Sequence, residues 1–263
     1  MALASMSEIF ERMVRNGQEF WEVVLADDMD ERQVSREASM AKMLTTWQAM
    51  QDAADSYTGR KRSVSGLVGG DGMKMRQYTF RGCAMTGGYV SEVIAEALSM
   101  AESNACMRRI VAAPTAGACG VLPAVLLPLC KYEELTQHQL LEALYVAAGI
   151  GSVIAYKASI AGASGGCQAE IGTASAMAAG ALVALRGGEG EQIGHAVAMA
   201  LKNLMGLVCD PVAGLVEVPC VKRNVIGAVN AVSAADMALA GIESRIPVDE
   251  VIDAMGEVGR RMP

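Results

Sequence analysis

The sequence predicts a mainly α-helical protein: a multi-helix bundle around buried apolar central helices, with Gly/Pro-rich loops that carry the site. Hydrophobic residues make up 52% of the 263 residues, which is enough for a sizeable core. The helix-favouring residues alanine, leucine, methionine and glutamate dominate, whereas aromatic residues are only 4%. Stretches rich in valine and isoleucine are interrupted by alanine or glycine, so a sheet is poorly supported. We expect one domain over residues 1–263.

Two helices are predicted at the N-terminus. Apolar residues recur at helical spacing over residues 6–26 and 31–54, and we expect a peripheral helical pair within residues 1–56. The next segment, residues 55–81, is polar and rich in glycine, and its Ser65–Gly72 portion cannot hold a helix. This segment is expected to form a loop that wraps over the surface or over a site.

The remaining helices follow from periodicity and from Gly/Pro punctuation. A helix is predicted over residues 89–104, and a loop over residues 113–120 leads into a further apolar helix. Long runs that are apolar on nearly every face belong in the middle of a bundle. These runs cover residues 136–156, 168–185, 191–205 and 224–240. Pro247 is predicted to be the first residue of a last helix.

Composition also bears on partners and compartment. The net charge of -7 disfavours binding to a phosphate backbone, so no nucleic-acid partner is expected. Residues 110–130 carry no charge, but Pro114, Pro123 and Pro128 argue for a buried loop followed by a core helix, and no membrane span is expected. An odd count of seven cysteines with no signal peptide before them predicts a reducing, cytoplasmic setting.

Three of the cysteines stand in loop-forming contexts. Cys167 follows two glycines and opens a predicted helix, Cys209 precedes Asp-Pro, and Cys220 follows a proline. Thiolates on irregular backbone are what an iron-sulfur cluster requires, and a helix start is expected to lower the pKa of the Cys167 thiol. No CxxC pair is present, so the spacing alone is equally compatible with ordinary buried cysteines that pack as small hydrophobic groups.

Longer segments around these cysteines resemble the alpha chain of the iron-sulfur-dependent L-serine dehydratases. The segments are APTAGACGV at residues 113–121, GASGGCQAEIG at 162–172 and LKNLMGLVCDPVAGLVEVPCVKRN at 201–224. The similarity continues through Ser65–Asp71 and Asn230–Ala238, so that it covers residues 60–263. The N-terminal helices match only loosely.

The resemblance implies a mainly helical catalytic domain that converts L-serine to pyruvate and ammonia. It also implies a 4Fe-4S cluster whose three protein ligands are Cys167, Cys209 and Cys220, leaving one iron free as a Lewis acid for the substrate. Family members carry a Ser-Ser-Ser-His-Thr segment in a beta domain or a separate beta chain, and this sequence has nothing similar. We therefore expect a beta chain to complete the site, and we expect the enzyme to be an oligomer.

Substrate-binding residues are predicted in the loops beside the cysteines. Thr115 and Gly117, in the Pro-Thr-Ala-Gly loop, are expected to cradle an anion. Lys202, Lys222 and Asn224 flank the cysteine loops and are expected to bind the substrate carboxylate.

The two histidines are the candidates for the base that removes the α-proton. His138 lies at a polar helix start and is expected to be exposed. His195 lies on the predicted helix over residues 191–205, near the face of Lys202. We assign the base to His195, although a lone helical histidine is more often a structural residue.

Other functions remain open at this point. A free iron would accept a sulfhydryl leaving group equally well, as in an L-cysteine desulfidase. A cluster-holding redox or regulatory protein would need a fourth protein ligand and closed coordination. If the cysteines serve only packing, protein purified without oxygen would be colourless.

Overall fold

The computed structural model describes residues 3–262, and this part of the chain contains helices and no strand, which confirms the mainly α prediction. In chain order the helices are α1 (Met6–Asn16), α2 (Phe20–Arg32), α3 (Arg36–Asp55), α4 (Asp71–Phe80), α5 (Gly87–Ala105), α6 (Val121–Tyr132), α7 (Gln137–Lys157), α8 (Gly162–Cys167), α9 (Thr173–Leu185), α10 (Gly190–Leu204), α11 (Cys220–Leu239) and α12 (Val248–Arg261). A π-helical turn (Gln168–Gly172) joins α8 to α9, and a short 3-10 turn (Val212–Gly214) precedes α11.

The centre of the bundle is α9, which packs against α6, α7, α10 and α11. All residues of α9 from Thr173 to Val183 are buried, as expected for a helix that is apolar on nearly every face. Gly180 leaves room for the side chain of Ile150 on α7, since a Cβ atom there would lie 2.2 Å from Cδ1 of Ile150. The prediction that the long apolar runs occupy the middle of the bundle is confirmed.

Helix α7 is the one described helix that is long and apolar enough to cross a membrane by length and composition. In the bundle, 67% of its apolar window is buried against other helices, as in the core helix of a globular domain. The charge-free stretch at residues 110–130 forms a loop and then α6, and most residues of α6 are buried. The prediction of a core helix is confirmed, whereas the loop before it is only partly buried.

The predicted N-terminal pair consists of three helices, so the prediction of one helix over residues 6–26 is wrong. Gly17 ends α1 with a left-handed backbone (φ 62°), and a capping box between Glu19 and Glu22 begins α2. Gln33 ends α2, again with a positive φ, and Ser35 caps α3. The apolar periodicity runs across the first break and therefore hides it.

A second correction concerns the segment over residues 55–81, whose last third forms α4. The glycine-rich portion ends at Gly70, and the carboxylate of Glu102 on α5 accepts hydrogen bonds from the backbone N–H groups of Gly70 (3.0 Å) and Asp71 (2.8 Å). An acceptor from another helix thus satisfies the donors at the start of α4. Local composition alone does not show this contact.

Other helix boundaries shift by a few residues. Helix α11 begins at Cys220, four residues before the predicted start, and Pro247 precedes α12 as its cap. The run predicted over residues 168–185 is divided into the π-helical turn and α9. Both the early start of α11 and the π-helical turn lie beside the cysteines.

Candidate functional site

The fold brings the three cysteines singled out from the sequence to one place. Cys167 lies where α8 meets the π-helical turn, Cys209 lies on the loop between α10 and α11, and Cys220 is the first residue of α11. Cys167 is buried, Cys220 is half-buried and Cys209 is exposed. Three separate parts of the chain therefore supply one sulfur each.

Arg223, one turn into α11, connects these parts. Its Nη1 atom donates hydrogen bonds to Sγ of Cys167 (3.0 Å) and to the carbonyl oxygen of Val208 (3.0 Å). The same nitrogen pairs with Oδ1 of Asp210 at 2.6 Å. A guanidinium group has several donors in a fixed plane, so one side chain can orient both the thiol and the loop that carries Cys209.

The backbone around Cys167 is irregular, as predicted. Gly166 has φ 76°, and a Cβ atom there would lie 2.7 Å from the carbonyl oxygen of Leu207 and 2.5 Å from Sδ of Met262. The N–H of Gln168 donates to the same Leu207 oxygen (3.0 Å), and the N–H of Gly206 donates to Oε1 of Gln168 (2.8 Å). The glycine therefore lets the 206–208 loop approach Cys167 directly.

Burial raises the pKa of the Cys167 thiol to about 11, although the hydrogen bond from Arg223 acts in the opposite direction. The neighbouring Cys209 and Cys220 side chains add to this rise. Burial also raises the pKa of Cys220, and Glu170 and Cys209 contribute to this rise. The prediction of a lowered Cys167 pKa is wrong, because the effect of burial outweighs that of Arg223.

The three cysteines supply the kind of donor, a thiol sulfur, that an iron-sulfur cluster uses. Within residues 3–262, no group of three His, Cys, Asp or Glu side chains is arranged around one ion. A cluster with four irons spaces its thiolate ligands farther apart than one ion does, and it requires sulfur ligands on irregular backbone. Cys167 and Cys209 lie on irregular backbone and Cys220 begins α11, as such ligands require.

The other cysteines have no comparable surroundings. Cys83 is exposed, Cys130 is half-buried, and Cys106 and Cys119 are buried, and none of the seven is in a disulfide. Burial raises the pKa of Cys119 to about 12. A thiol of this kind behaves as a small hydrophobic side chain.

Asn224 has a structural position. Its side chain is fully buried, Nδ2 donates to the carbonyl oxygens of Gly117 (2.8 Å) and Cys220 (3.0 Å), and Oδ1 accepts from the N–H of Gly120 (2.9 Å). Both donors and the acceptor are therefore used within the protein. Asn224 fastens the 113–120 loop to the start of α11 and has no free polar group for a substrate carboxylate, which corrects the prediction.

Thr115 and Gly117 adjoin a carboxylate that the sequence interpretation did not single out. Oγ1 of Thr115 donates a hydrogen bond to Oε1 of Glu170, and a Cβ atom on Gly117 would lie 2.7 Å from either Glu170 oxygen. The predicted anion cradle thus holds the protein's own anion, so it is not open to a substrate carboxylate. The one sequence feature that pointed to Glu170 is its position, as an acidic residue three positions after Cys167.

The two predicted lysines lie on exposed surface. Lys202 is exposed in the last turn of α10, and Nζ of Lys222 lies 3.8 Å from Oδ2 of Asp71, with the lysine side chain 77% exposed. Substrate binding by Lys202 and Lys222 stays a prediction.

His195 lies in a different part of the molecule. It lines a cavity of about 580 Å³ between α1, the first half of α10 and residues 244–248, and none of the three cysteines lines this cavity. Its Nδ1 atom accepts a hydrogen bond from the N–H of Ser244 (3.3 Å), and it stands about 14 Å along α10 from Leu204. The structure does not bring His195 to the cysteines. His138 is exposed, as predicted.

A buried carboxylate joins the glycine-rich loop to the cysteine loops. Glu217 accepts hydrogen bonds from the hydroxyl groups of Ser65 and Ser63, the latter at 2.7 Å, and these bonds hold the pKa of Glu217 below its usual range. The prediction that the glycine-rich loop wraps over a site is consistent with this contact. The loop lies beside the segment between Cys209 and Cys220.

This contact is expected to weaken in acid. Because the folded pKa of Glu217 is lowered, its stabilisation is present above the unfolded pKa, which is about 4.3, and is lost as pH falls through the folded pKa. The thermal midpoint of the wild type should exceed that of Glu217→Gln at pH 7, and the gap should shrink as the pH falls below the unfolded pKa. A gap that is constant from pH 7 to pH 3 would contradict the assignment.

Comparisons with known proteins agree with these features. The family model described as "Serine dehydratase alpha chain" matches residues 15–263. The probable L-serine dehydratase alpha chain of Bacillus subtilis is 47% identical over 242 residues, 92% of this chain and 81% of that protein. The corresponding probable alpha chain of Latilactobacillus sakei is 55% identical over 172 residues, covering 65% and 82%. The L-serine dehydratase alpha chain of Peptoniphilus asaccharolyticus is 39% identical over 261 residues, covering 99% and 89%.

Proposed function

Because the chain belongs to the serine dehydratase alpha-chain family, we propose that it is the catalytic alpha chain of an L-serine ammonia-lyase, which converts L-serine to pyruvate and ammonia. The α-proton and the hydroxyl group leave together as water. The resulting enamine tautomerises to an imine, which takes up water and releases ammonia. The reaction needs no oxidant or reductant.

The observation that carries the proposal is the convergence of Cys167, Cys209 and Cys220 around Arg223. We propose that these three thiolates hold a 4Fe-4S cluster. When bound, such a cluster supplies an iron without a protein ligand, which acts as a Lewis acid on the departing hydroxyl group. The chain itself orients the buried thiol through Arg223 and allows the 206–208 loop to approach through Gly166.

A beta chain is proposed to cover the exposed side of this site. The relatives with which the comparison is longest are named alpha chains, which implies a second chain in those enzymes. Apolar side chains next to Cys209 are 41–53% exposed in this chain: Val208, Val212, Leu215 and Val216. A cluster of exposed apolar residues beside a functional loop is typical of a surface that another protein covers. We propose that the enzyme is cytoplasmic and oligomeric.

The first experiment is anaerobic iron and sulfide analysis with visible absorption. We expect about four irons and four sulfides per chain in the wild type, as a 4Fe-4S cluster requires. Cys167→Ser, Cys209→Ser and Cys220→Ser should each lose most of this iron. Cys83→Ser is the matched control, because Cys83 is exposed and lies outside the site, and it should keep the full content. Iron content that none of the three variants changes would contradict the proposed ligands.

The substrate is tested with the iron-loaded complex of this chain and its beta chain. Pyruvate formation from L-serine should exceed both the reaction with L-threonine and sulfide release from L-cysteine. Sulfide release that is faster than pyruvate formation from serine would favour an L-cysteine desulfidase instead. An iron-loaded complex that reacts with none of these amino acids would favour a regulatory role.

A further inference from the structure

Glu170 lies on the π-helical turn, one turn after Cys167, and its side chain reaches the 113–120 loop. Two glycines make room for its carboxylate: a Cβ atom on Gly117 would lie 2.7 Å from both oxygens, and one on Gly162 would lie 3.1 Å from Oε2. Neither glycine has a positive φ, so other residues could adopt the same backbone conformation. A side chain would be unfavourable at these positions because its Cβ atom would come too close to the carboxylate. Two segments of the chain are thus shaped around this carboxylate.

The charge of this carboxylate is not neutralised within the described part of the chain. Its one hydrogen bond comes from the hydroxyl group of Thr115. No Lys, Arg or His nitrogen of residues 3–262 lies within 4.0 Å of its oxygens. Gly117, which adjoins this carboxylate, is tied through the side chain of Asn224 to the carbonyl oxygen of Cys220, so the carboxylate is close to the cysteines. A partly buried anion of this kind favours a cationic ligand.

The other carboxylates near the cysteines are already engaged. Asp210 pairs with Arg223 at 2.6 Å. Glu217 accepts hydrogen bonds from two serine hydroxyl groups. Asp71 pairs with Lys74 at 2.8 Å and is not adjacent to a cysteine in sequence. Glu170 has a single hydroxyl donor and no cationic partner among the described residues, so of these carboxylates it has the most capacity to receive a positive charge.

We infer that Glu170 binds the α-ammonium group of L-serine, with Thr115 fixing one carboxylate oxygen and Gly117 and Gly162 leaving space at the other. The inference rests on the proposed function, which supplies the substrate. An ammonium group donates three charge-assisted hydrogen bonds, and a carboxylate is its natural partner. Glu170 is then a substrate-binding residue that sets the position of the α-carbon relative to the cysteines.

The test compares two ligands in the iron-loaded complex of this chain with its beta chain. L-Glycerate has the carboxylate and hydroxyl groups of L-serine but a hydroxyl group in place of the ammonium group. Binding of each ligand is followed by the change in the visible and EPR spectra of the cluster, which does not depend on turnover. Iron and sulfide contents show whether each variant still assembles the site.

In Glu170→Gln we expect the dissociation constant of L-serine to rise at least about 10-fold, because a charge-assisted contact becomes a neutral one. The dissociation constant of L-glycerate should change by less than about threefold, because that ligand has no ammonium group. Gly117→Ala should act in the same direction, since the new methyl group would displace the carboxylate. Gly172→Ala is the matched control, because a Cβ atom there meets its nearest neighbour at 3.8 Å.

Each of the other outcomes contradicts a specific part of the inference or of the proposed function. Equal loss of serine and glycerate binding in Glu170→Gln would mean that Glu170 only holds the 113–120 loop. Unchanged binding of both ligands with a lost turnover number would make Glu170 a base and not an ammonium ligand. A wild-type complex that holds iron and responds to serine, with no effect of Glu170→Gln, overturns the inference alone. A wild type without iron removes the proposed function, and the inference falls with it.

Discussion

Replacing Asn224 by aspartate is expected to lower the free energy of unfolding by about 3 kcal/mol and to leave little iron bound. The substitution keeps the size of the side chain but removes the donor that holds the carbonyl oxygens of Gly117 and Cys220. It also places a carboxylate oxygen against those two carbonyl oxygens at a fully buried position. Release of the 113–120 loop would then withdraw Thr115 from Glu170.

Urea unfolding monitored by circular dichroism measures the loss of stability, and iron analysis measures the loss of the site. Asn16→Asp is the matched control, because Asn16 is exposed and bonds only to exposed Gln18, and it should change stability by less than about 0.5 kcal/mol. If Asn224→Asp unfolded at the same urea concentration as the wild type, Asn224 would not be holding the loop.

The central helices were predictable because their signals are local. Helix α7 begins one residue after the predicted start, since Thr136 and Gln139 form a capping box that can be read from the sequence. Helix α10 is displaced from its prediction by a single residue at each end. Both are apolar over most of their surface, and this property placed them in the middle of the bundle before any contact was known.

The predictions failed where a distant residue decides the local structure. Gly69, Gly70 and Gly72 argue against a helix, yet α4 begins at Asp71 because the Glu102 carboxylate, 31 positions away, receives its first N–H groups. The π-helical turn also has no local signal; it lies between the irregular backbone at Gly166 and the start of α9. That turn carries Glu170.

At the site, too, the residues within a recognisable motif were predicted, and those defined by tertiary contacts were not. Motif similarity selected Cys167, Cys209 and Cys220, and the structure brings them together. Motif similarity did not select Arg223, because the sequence does not show that this arginine donates a hydrogen bond to a cysteine 56 positions away. The pKa of Cys167 was predicted with the wrong sign, since burial depends on how neighbouring loops pack over the thiol.

Replacing Glu102 by alanine is expected to have the largest effect on stability, a loss of about 4 kcal/mol and a thermal midpoint lower by about 10 °C. The carboxylate is 1% exposed and accepts from the N–H groups of Gly70 and Asp71 and from the hydroxyl group of Tyr57. Burial and this hydrogen bond raise the pKa of Tyr57. Alanine would leave these donors buried without an acceptor and remove the negative charge at the N-terminus of α4.

The readout specific to this contact is tryptic cleavage within α4, at Lys74 and Arg76, which should become faster as the start of the helix loses its acceptor. Glu92→Ala is the matched control on the same helix, because its carboxylate forms a surface pair with Lys131 at 3.1 Å, which contributes about 0.5 kcal/mol. Equal cleavage rates and equal stability in the two variants would contradict the role of Glu102. A selective effect in Glu102→Ala would show that α4, and the glycine-rich loop before it, are held in place from α5.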